Sequence, residues 1–211
     1  MDLRRIFEDT CKGRLSDYLH PRVADPWKTL CDTYEAPVRA YHNMSHVRDC
    51  IKECEAQKLG DTAKLALFYH DAVCVPGRSD NEYASGDLFS GHFTGSGDVG
   101  AYAMARVRSL IMLTRHTELP RGDTAAMVVD IDMSVLGQAP EIFDQYDRAI
   151  RLEYEHVPDD EYEAGRRTFL EGILGRKTIY YTDVYRSRCE AQARDNIRRR
   201  LGFTGKGQDV R

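Results

Sequence analysis

A histidine–aspartate doublet, His70-Asp71, ends an apolar run of the chain that begins at Ala63. Two groups that prefer water therefore stand where water is expected to be absent, which is typical of a metal ligand or a strong ion pair. His46 lies upstream and Asp132 downstream, so nitrogen and oxygen donors follow one another in the order His, His-Asp, Asp. Such a mixed set suits a divalent metal ion that promotes hydrolysis.

Each of these residues has a simpler interpretation when it is taken alone. A single histidine on an apolar face is usually a core residue with one hydrogen bond, and an aspartate before Met-Ser can be a helix cap. The set as a whole favours a metal site, because a buried His-Asp doublet is costly without a partner and the members lie on separate predicted helices. Asp130, two residues before Asp132 on the same predicted helix, is the competing ligand.

The composition is that of a soluble globular protein, with 42% hydrophobic and 30% charged residues. Apolar residues recur three and four apart almost everywhere, which predicts an all-α, compact multi-helix fold. No apolar stretch approaches the roughly 18 residues that span a bilayer, so no membrane partner is expected. The net charge of −4 argues against nucleic-acid binding. The six scattered cysteines and an N-terminus without an apolar signal predict a cytoplasmic location.

The length predicts a single domain over residues 1–211. Its core would lie at about 38–140, with the C-terminal helices at 141–203 packed on it and a flexible tail at 204–211. The predicted helices are 2–19, 26–39, 45–58, 61–74, 81–93, 99–115, 122–135, 139–155, 159–175 and 183–201. The glycine-rich segment 91–100 is predicted to be a flexible surface loop. The sequence leaves the oligomeric state open.

The ordered motifs resemble the HD superfamily of metal-dependent phosphohydrolases, named for its His-Asp doublet. The resemblance extends over most of the chain: Tyr41-His42-Asn43 with His46, Leu67–Val73, Asp80–Glu82, Asp130–Gly137, Arg151–Tyr154, Tyr162 with Gly165-Arg166, and Glu190–Asn196. The nearest match is a group of predicted HD hydrolases, and cyclic-nucleotide phosphodiesterases are distantly similar. The resemblance implies an HD-domain, phosphodiesterase-like fold. Because the purine-gripping segment of the phosphodiesterases has no counterpart, a cyclic-nucleotide substrate is not implied.

The resemblance also implies a role for each residue of the site: His46, His70, Asp71 and Asp132 as metal ligands, and His42 as the general acid. A divalent ion lowers the pKa of bound water, and the resulting hydroxide can attack phosphorus in line. An imidazole with an ordinary pKa of about 6.5 can protonate the leaving oxygen at cellular pH. His42 and His46 would share one face if a helix included both.

Four further polar residues surround this set in the sequence. Glu82, with Asp80 beside it, is predicted to position the attacking water, although acidic residues at a helix start have the same pattern. His116 and His92 lie between the doublet and Asp132, where some HD proteins hold a second metal. The resemblance therefore makes them candidates for a second metal or a phosphate contact, with His116 preferred.

The C-terminal part supplies candidate substrate-binding residues. Arg151 and Arg166 could bind phosphate through a bidentate guanidinium, and Tyr154 or Tyr162 could stack on a base. The simpler interpretation is a set of ion pairs on helix surfaces, because Arg151 lies four residues from Glu155.

The sequence thus predicts a metal-dependent phosphoric ester hydrolase that acts on a small phosphorylated molecule, of which a nucleotide is one candidate. Its cofactor would be one or two divalent ions, because histidine and aspartate suit Mn, Fe, Zn, Co and Ni, and Mg less well. Two alternatives stay open: a di-iron HD-type oxygenase, and a non-catalytic metal- or nucleotide-binding protein on the same scaffold.

Overall fold

The computed structural model describes residues 1–23 and 25–203, so the predicted tail at 204–211 lies outside the described residues. The described chain is mostly helical, which confirms the predicted all-α class, and one two-stranded sheet is added to it. It separates into two compact units, residues 1–132 and residues 133 onward. The single-domain organisation stays a prediction. No helix of the described residues is both long and apolar enough to cross a membrane.

The first unit contains seven of the described α-helices and the sheet. Its elements are α1 (Leu3–Lys12), a 3-10 turn (Arg14–Asp17), β1 (Leu19–Pro21), α2 (Pro26–Tyr34), α3 (Met44–Ala56), α4 (Asp61–Tyr69), α5 (Asn81–His92), β2 (Phe93–Gly95), α6 (Gly97–Leu113) and α7 (Asp123–Asp132). Strand β1 pairs antiparallel with β2, with Leu19 opposite Gly95.

Helix α4 is the centre of the first unit, as its apolar run predicts. Leu65 through Tyr69 are at most 1% exposed, and α1, α3, α5, α6 and α7 all contact α4. Phe7 packs edge-on against Phe68, and Tyr69 packs against Phe89. Burial of each such side chain contributes about 1.5–3 kcal/mol to the stability of the fold. This packing holds the C-terminal end of α4, which the His70-Asp71 doublet follows, in a fixed position.

The predicted helices at 26–39 and 61–74 end early, at Tyr34 and Tyr69, and two further sequence predictions about local structure are wrong. The predicted helix at 2–19 ends at Lys12, where Gly13 turns into extended backbone; a Cβ on Gly13 would lie 2.7 Å from Asp61. The glycine-rich segment is not a free loop, because it forms β2 and the start of α6. Its glycines permit a close backbone crossing: a Cβ on Gly95 would lie 2.5 Å from the backbone of Gly100.

The second unit contains a 3-10 turn (Met133–Gly137), α8 (Pro140–Glu153), α9 (Asp159–Leu174) and α10 (Asp183–Leu201). The side chain of Thr182 caps the start of α10, and Gly202 ends it in the left-handed region. The buried amide of Asn196 donates hydrogen bonds to the carbonyls of Leu136 and Gln138. These bonds hold the 3-10 turn against α10.

Candidate metal centre

Four of the predicted ligands converge within the first unit. The Nε2 atoms of His46 and His70 are 3.1 Å apart, and Oδ1 of Asp132 lies 3.3 Å from each of them. Oδ2 of Asp71 lies 3.0 Å from the same atom of His70 and 3.6 Å from that of His46. The tertiary structure therefore points two imidazoles and two carboxylates at one small volume.

Each ligand lies at an end of a helix, where a short backbone segment can aim it. His46 is in the first turn of α3, whose N-cap is the side chain of Asn43. His70 follows the last residue of α4, and its Nδ1 donates a hydrogen bond to the carbonyl of Leu67 at 2.9 Å. That bond leaves the Nε2 lone pair free to bind a metal. Asp132 is the last residue of α7.

The cluster is strongly charged for its degree of burial. Burial opposes ionisation of Asp71, but the charges of His70 and His42 hold its pKa below its usual value. Asp132 is affected in the same way: burial is outweighed by the charge of His70 and by hydrogen bonds from His116 and His46, so its pKa is well below the usual range.

His70 shows the reverse shift. Burial lowers its pKa, but the neighbouring Asp71 and Asp132 raise it well above the usual value. The two carboxylates thus favour a positive charge at this position. A divalent cation would supply that charge in place of the proton.

The donor separations fit a first-row divalent ion. Nitrogen and oxygen ligands about 2.0–2.1 Å from a tetrahedral ion are about 3.3–3.4 Å from each other. The separations among His46, His70 and Asp132 are 3.1–3.3 Å. These residues therefore need little rearrangement to hold a metal.

Cys50 belongs to the same cluster, although no sequence motif indicated it. Its Sγ lies 3.7 Å from Nε2 of His46, and one donor atom from each of His46, Cys50, His70 and Asp132 lies within 4.8 Å of the others. The thiol is buried. The available signal was its position four residues after His46, which places both on one face of α3.

His116 contacts the far side of the Asp132 carboxylate. Its Nε2 lies 3.0 Å from Oδ2 of Asp132, while the other carboxylate oxygen faces the two histidine ligands. His116 has a φ of 58°, a left-handed conformation that is costly for a residue with a Cβ. This backbone turn places the imidazole on the ligand carboxylate.

Arg39 connects the two histidine-bearing segments, and no sequence motif indicated it. Its guanidinium donates hydrogen bonds to the carbonyls of His42 at 2.9 Å, Asp71 at 2.5 Å and Ala72 at 2.9 Å. It also lies over the ring of Tyr34. Arg39 thereby holds the backbone of the doublet against the segment that precedes α3.

The structure also locates the remaining candidates of the first unit. His42 lies before the start of α3, so it does not share a helical face with His46; their ring centroids are 6.0 Å apart. Asp132 contacts both His46 and His70. Glu82, in the first turn of α5, lies 3.8 Å from Arg115. His92 shares a 2.7 Å hydrogen bond with the hydroxyl of Tyr69 in the aromatic core.

The candidate substrate residues lie together in the second unit. Arg151 forms an exposed ion pair with Asp159, in place of the predicted partner Glu155, and donates to the carbonyl of Tyr154. Its guanidinium lies over the ring of Tyr162.

Arg166 is also not a surface residue. Its side chain is 7% exposed, and its Nε donates to Asp147 at 2.9 Å. The guanidinium lies over the rings of Tyr146 and Phe169.

No protein-family model, curated protein or solved structure matches the chain. The findings therefore consist of a helical fold and a His/Cys/Asp cluster that could bind a metal ion, which is consistent with an HD-like site.

Proposed function

We propose that the protein is a metal-dependent phosphohydrolase that cleaves a small phosphate ester. One observation carries the proposal: the imidazoles of His46 and His70 and the carboxylates of Asp71 and Asp132 converge at distances that fit one ion. When bound, the ion supplies a water of lowered pKa and polarises a phosphoryl oxygen.

The side chains around the ion supply the other functions: proton donation, orientation of a ligand and support of the backbone. His42, beside the ligands and partly exposed, donates the proton that the leaving oxygen requires. His116 orients Asp132, and Arg39 fixes the backbone on both sides of the pocket. Glu82 stays a candidate for positioning the attacking water.

A two-ion centre, as in a di-iron oxygenase, is the second candidate. The observation that favours it is the orientation of Asp132, whose two oxygens face different imidazoles. A carboxylate with this geometry could bridge two ions, with His116 as a ligand of the second.

Metal content and turnover test the proposal together. Protein purified without added metal should contain one or two redox-inactive divalent ions and should hydrolyse at least one of a panel of nitrophenyl and nucleoside phosphate esters. His42→Ala should retain the metal but lose at least about 100-fold in kcat, as expected for a general acid. His20→Ala, in an exposed histidine of β1, is the matched control.

Different outcomes would contradict different parts of the proposal. Two irons per chain with oxygen consumption would replace the hydrolase by the oxygenase. A metal-loaded protein that is inert across the panel would favour a binding protein.

A further inference from the structure

Arg115 carries a guanidinium that donates no hydrogen bond to another residue in the described part of the chain. Its ion-pair contact places Nε 3.8 Å from Oε2 of Glu82, which is too long for a hydrogen bond. The guanidinium also lies over the exposed ring of Tyr83, with Cζ 5.3 Å from the ring centroid. The side chain of Arg115 is 30% exposed, so its N–H donors are accessible to a ligand that arrives from solvent.

Arg115 is tied to the candidate metal centre along the chain. It directly precedes His116, whose Nε2 lies 3.0 Å from Oδ2 of Asp132. The left-handed backbone of His116, with a φ of 58°, fixes the direction of the chain at this point. The guanidinium therefore belongs to a segment whose next residue contacts a predicted metal ligand.

A second connection runs through α5, since Arg115 contacts the first turn of that helix. Helix α5 is fastened in turn to the segment that follows the His70-Asp71 doublet. Oγ of Ser85 accepts a hydrogen bond from the backbone N–H of Val73 at 3.0 Å, and Oδ1 of Asn81 accepts one from that of Val75 at 3.0 Å. Arg115 thus borders the centre on the side of the doublet as well as on the side of α7.

Arg39, which also lies beside the doublet, provides an internal comparison. Its guanidinium already donates to three backbone carbonyls at 2.5–2.9 Å, so its donors are committed to the fold. Those of Arg115 have no such acceptors among the described residues. Of these two guanidiniums, Arg115 is therefore the one that can bind a ligand.

We propose that Arg115 binds the phosphoryl group of the substrate and that the site therefore selects phosphate monoesters over phosphate diesters. This inference rests on the proposed function and adds the class of substrate to it. A planar guanidinium binds two phosphate oxygens through parallel N–H donors, which a single ammonium cannot do. The ring of Tyr83 supports the plane of the guanidinium from one side.

The number of terminal phosphate oxygens explains the selectivity. One terminal oxygen is required for polarisation at the metal centre of the proposed function, and the guanidinium of Arg115 requires two more. A monoester has three terminal oxygens, whereas a diester has two. A diester at the same centre would leave one N–H donor of the pair without an acceptor, and that loss lowers its affinity.

Binding of inorganic phosphate tests the proposal without turnover. In calorimetric titration of the full-length protein loaded with Zn²⁺, Arg115→Gln should weaken orthophosphate binding at least about tenfold, as expected for lost charge-assisted hydrogen bonds. Dimethyl phosphate, which has two terminal oxygens, should bind the unaltered protein more weakly, and Arg115→Gln should weaken its binding less. Arg121→Gln, in an exposed residue of the same connection between α6 and α7, is the matched control and should change neither affinity.

Arg115→Lys separates the charge from the geometry of the donors. Lysine should restore part of the affinity for orthophosphate but not the preference over dimethyl phosphate, because an ammonium lacks the parallel pair of donors. Zn²⁺ content should be unchanged in both variants. If Arg115→Gln does not fold, the preference measured with Arg115→Lys still decides the question.

The outcomes separate this proposal from the proposed function. Orthophosphate binding that is equal in Arg115→Gln and the unaltered protein would overturn the role of Arg115, and an equal loss for both phosphates would overturn the selectivity. Hydrolysis of 4-nitrophenyl phosphate with an unchanged kcat/KM in Arg115→Gln would contradict Arg115 alone. Orthophosphate binding that depends on Arg115, in a protein that hydrolyses no ester, would support the phosphate site and contradict only the hydrolase.

Discussion

Two carboxylates, Asp132 in the first unit and Asp147 in the second, are buried to the same degree but are neutralised by different kinds of side chain. Their side chains are 13% and 14% exposed. The ion-pair partners of Asp132 are imidazoles, with His46 and His70 at 3.3 Å. Those of Asp147 are guanidiniums, with Arg166 at 2.9 Å and Arg200 at 2.5 Å.

This difference separates a cluster with permanent charge balance from one that could bind a cation. A guanidinium keeps its charge at any physiological pH, so the Asp147 cluster is complete as it stands. An imidazole is charged only when it is protonated, so the Asp132 cluster needs either a proton on His70 or a bound cation. Burial and ion pairing alone would not distinguish the two clusters; the chemistry of the partners does.

The largest expected difference between the two clusters is the effect on metal binding of removing one carboxylate from each. Asp132→Asn should weaken divalent-metal binding at least about 100-fold, because a ligand loss exceeds the 10–100-fold typical of an outer-shell change. Asp147→Asn, the matched control, should leave metal binding unchanged. Competition with a chelating dye measures both. Equal metal affinity for Asp132→Asn and the unaltered protein would mean that the imidazole-lined cluster is not a metal site.

Arg166→Met tests the other cluster. It should lower the free energy of unfolding by about 3 kcal/mol, because removing one partner of a buried pair leaves a carboxylate incompletely compensated. Urea denaturation measures the loss, and the metal content should not change. Arg167→Met, in the exposed neighbour, should cost less than about 0.5 kcal/mol. A loss no larger than that of the control would show that the Asp147 cluster does not depend on its guanidinium.

Arg39→Lys tests a third guanidinium, which contacts the backbone of the His70-Asp71 doublet and pairs with no carboxylate of that cluster in the described contacts. Lysine keeps the charge but cannot reach three carbonyls with a planar fork, so metal affinity should fall about tenfold. Arg48→Lys, in an exposed residue of α3, is the control. Dye competition measures both, and an unchanged affinity for Arg39→Lys would remove Arg39 from the site.

The smallest effect concerns His92, an imidazole that is buried against a phenol. Burial lowers the pKa of His92, whereas the pKa of His70 is raised. The unfolded state therefore takes up the His92 proton more readily. The stability that the neutral ring contributes above the ordinary pKa of about 6.5 is lost as the pH falls.

His92→Gln should accordingly lose less stability than the unaltered protein between about pH 7 and 5, as measured by urea denaturation at each pH. His20→Gln is the exposed control. Parallel stability curves for His92→Gln and the unaltered protein would contradict the assigned shift.

Local chemistry made much of the fold predictable. Helical periodicity located most helices, and the apolar run before His70 indicated that α4 would be buried. The predictions failed where distant residues decide the backbone. The backbone of Gly100 passes so close to Gly95 that a residue with a Cβ would not fit there. The first helix stops at Gly13, which packs against Asp61.

The types of donor atom in the candidate site could be predicted from the sequence, which has histidines and aspartates in an order that suits a divalent ion, including the adjacent His70-Asp71. Which of these donor atoms lie close together depends on the tertiary structure. It brought Asp132 and Cys50 to the histidines, and Arg39 to the doublet. The physical reason is that ligands from three helices converge through the packing of α3 and α7 against α4, and such long-range packing leaves no local pattern in the chain.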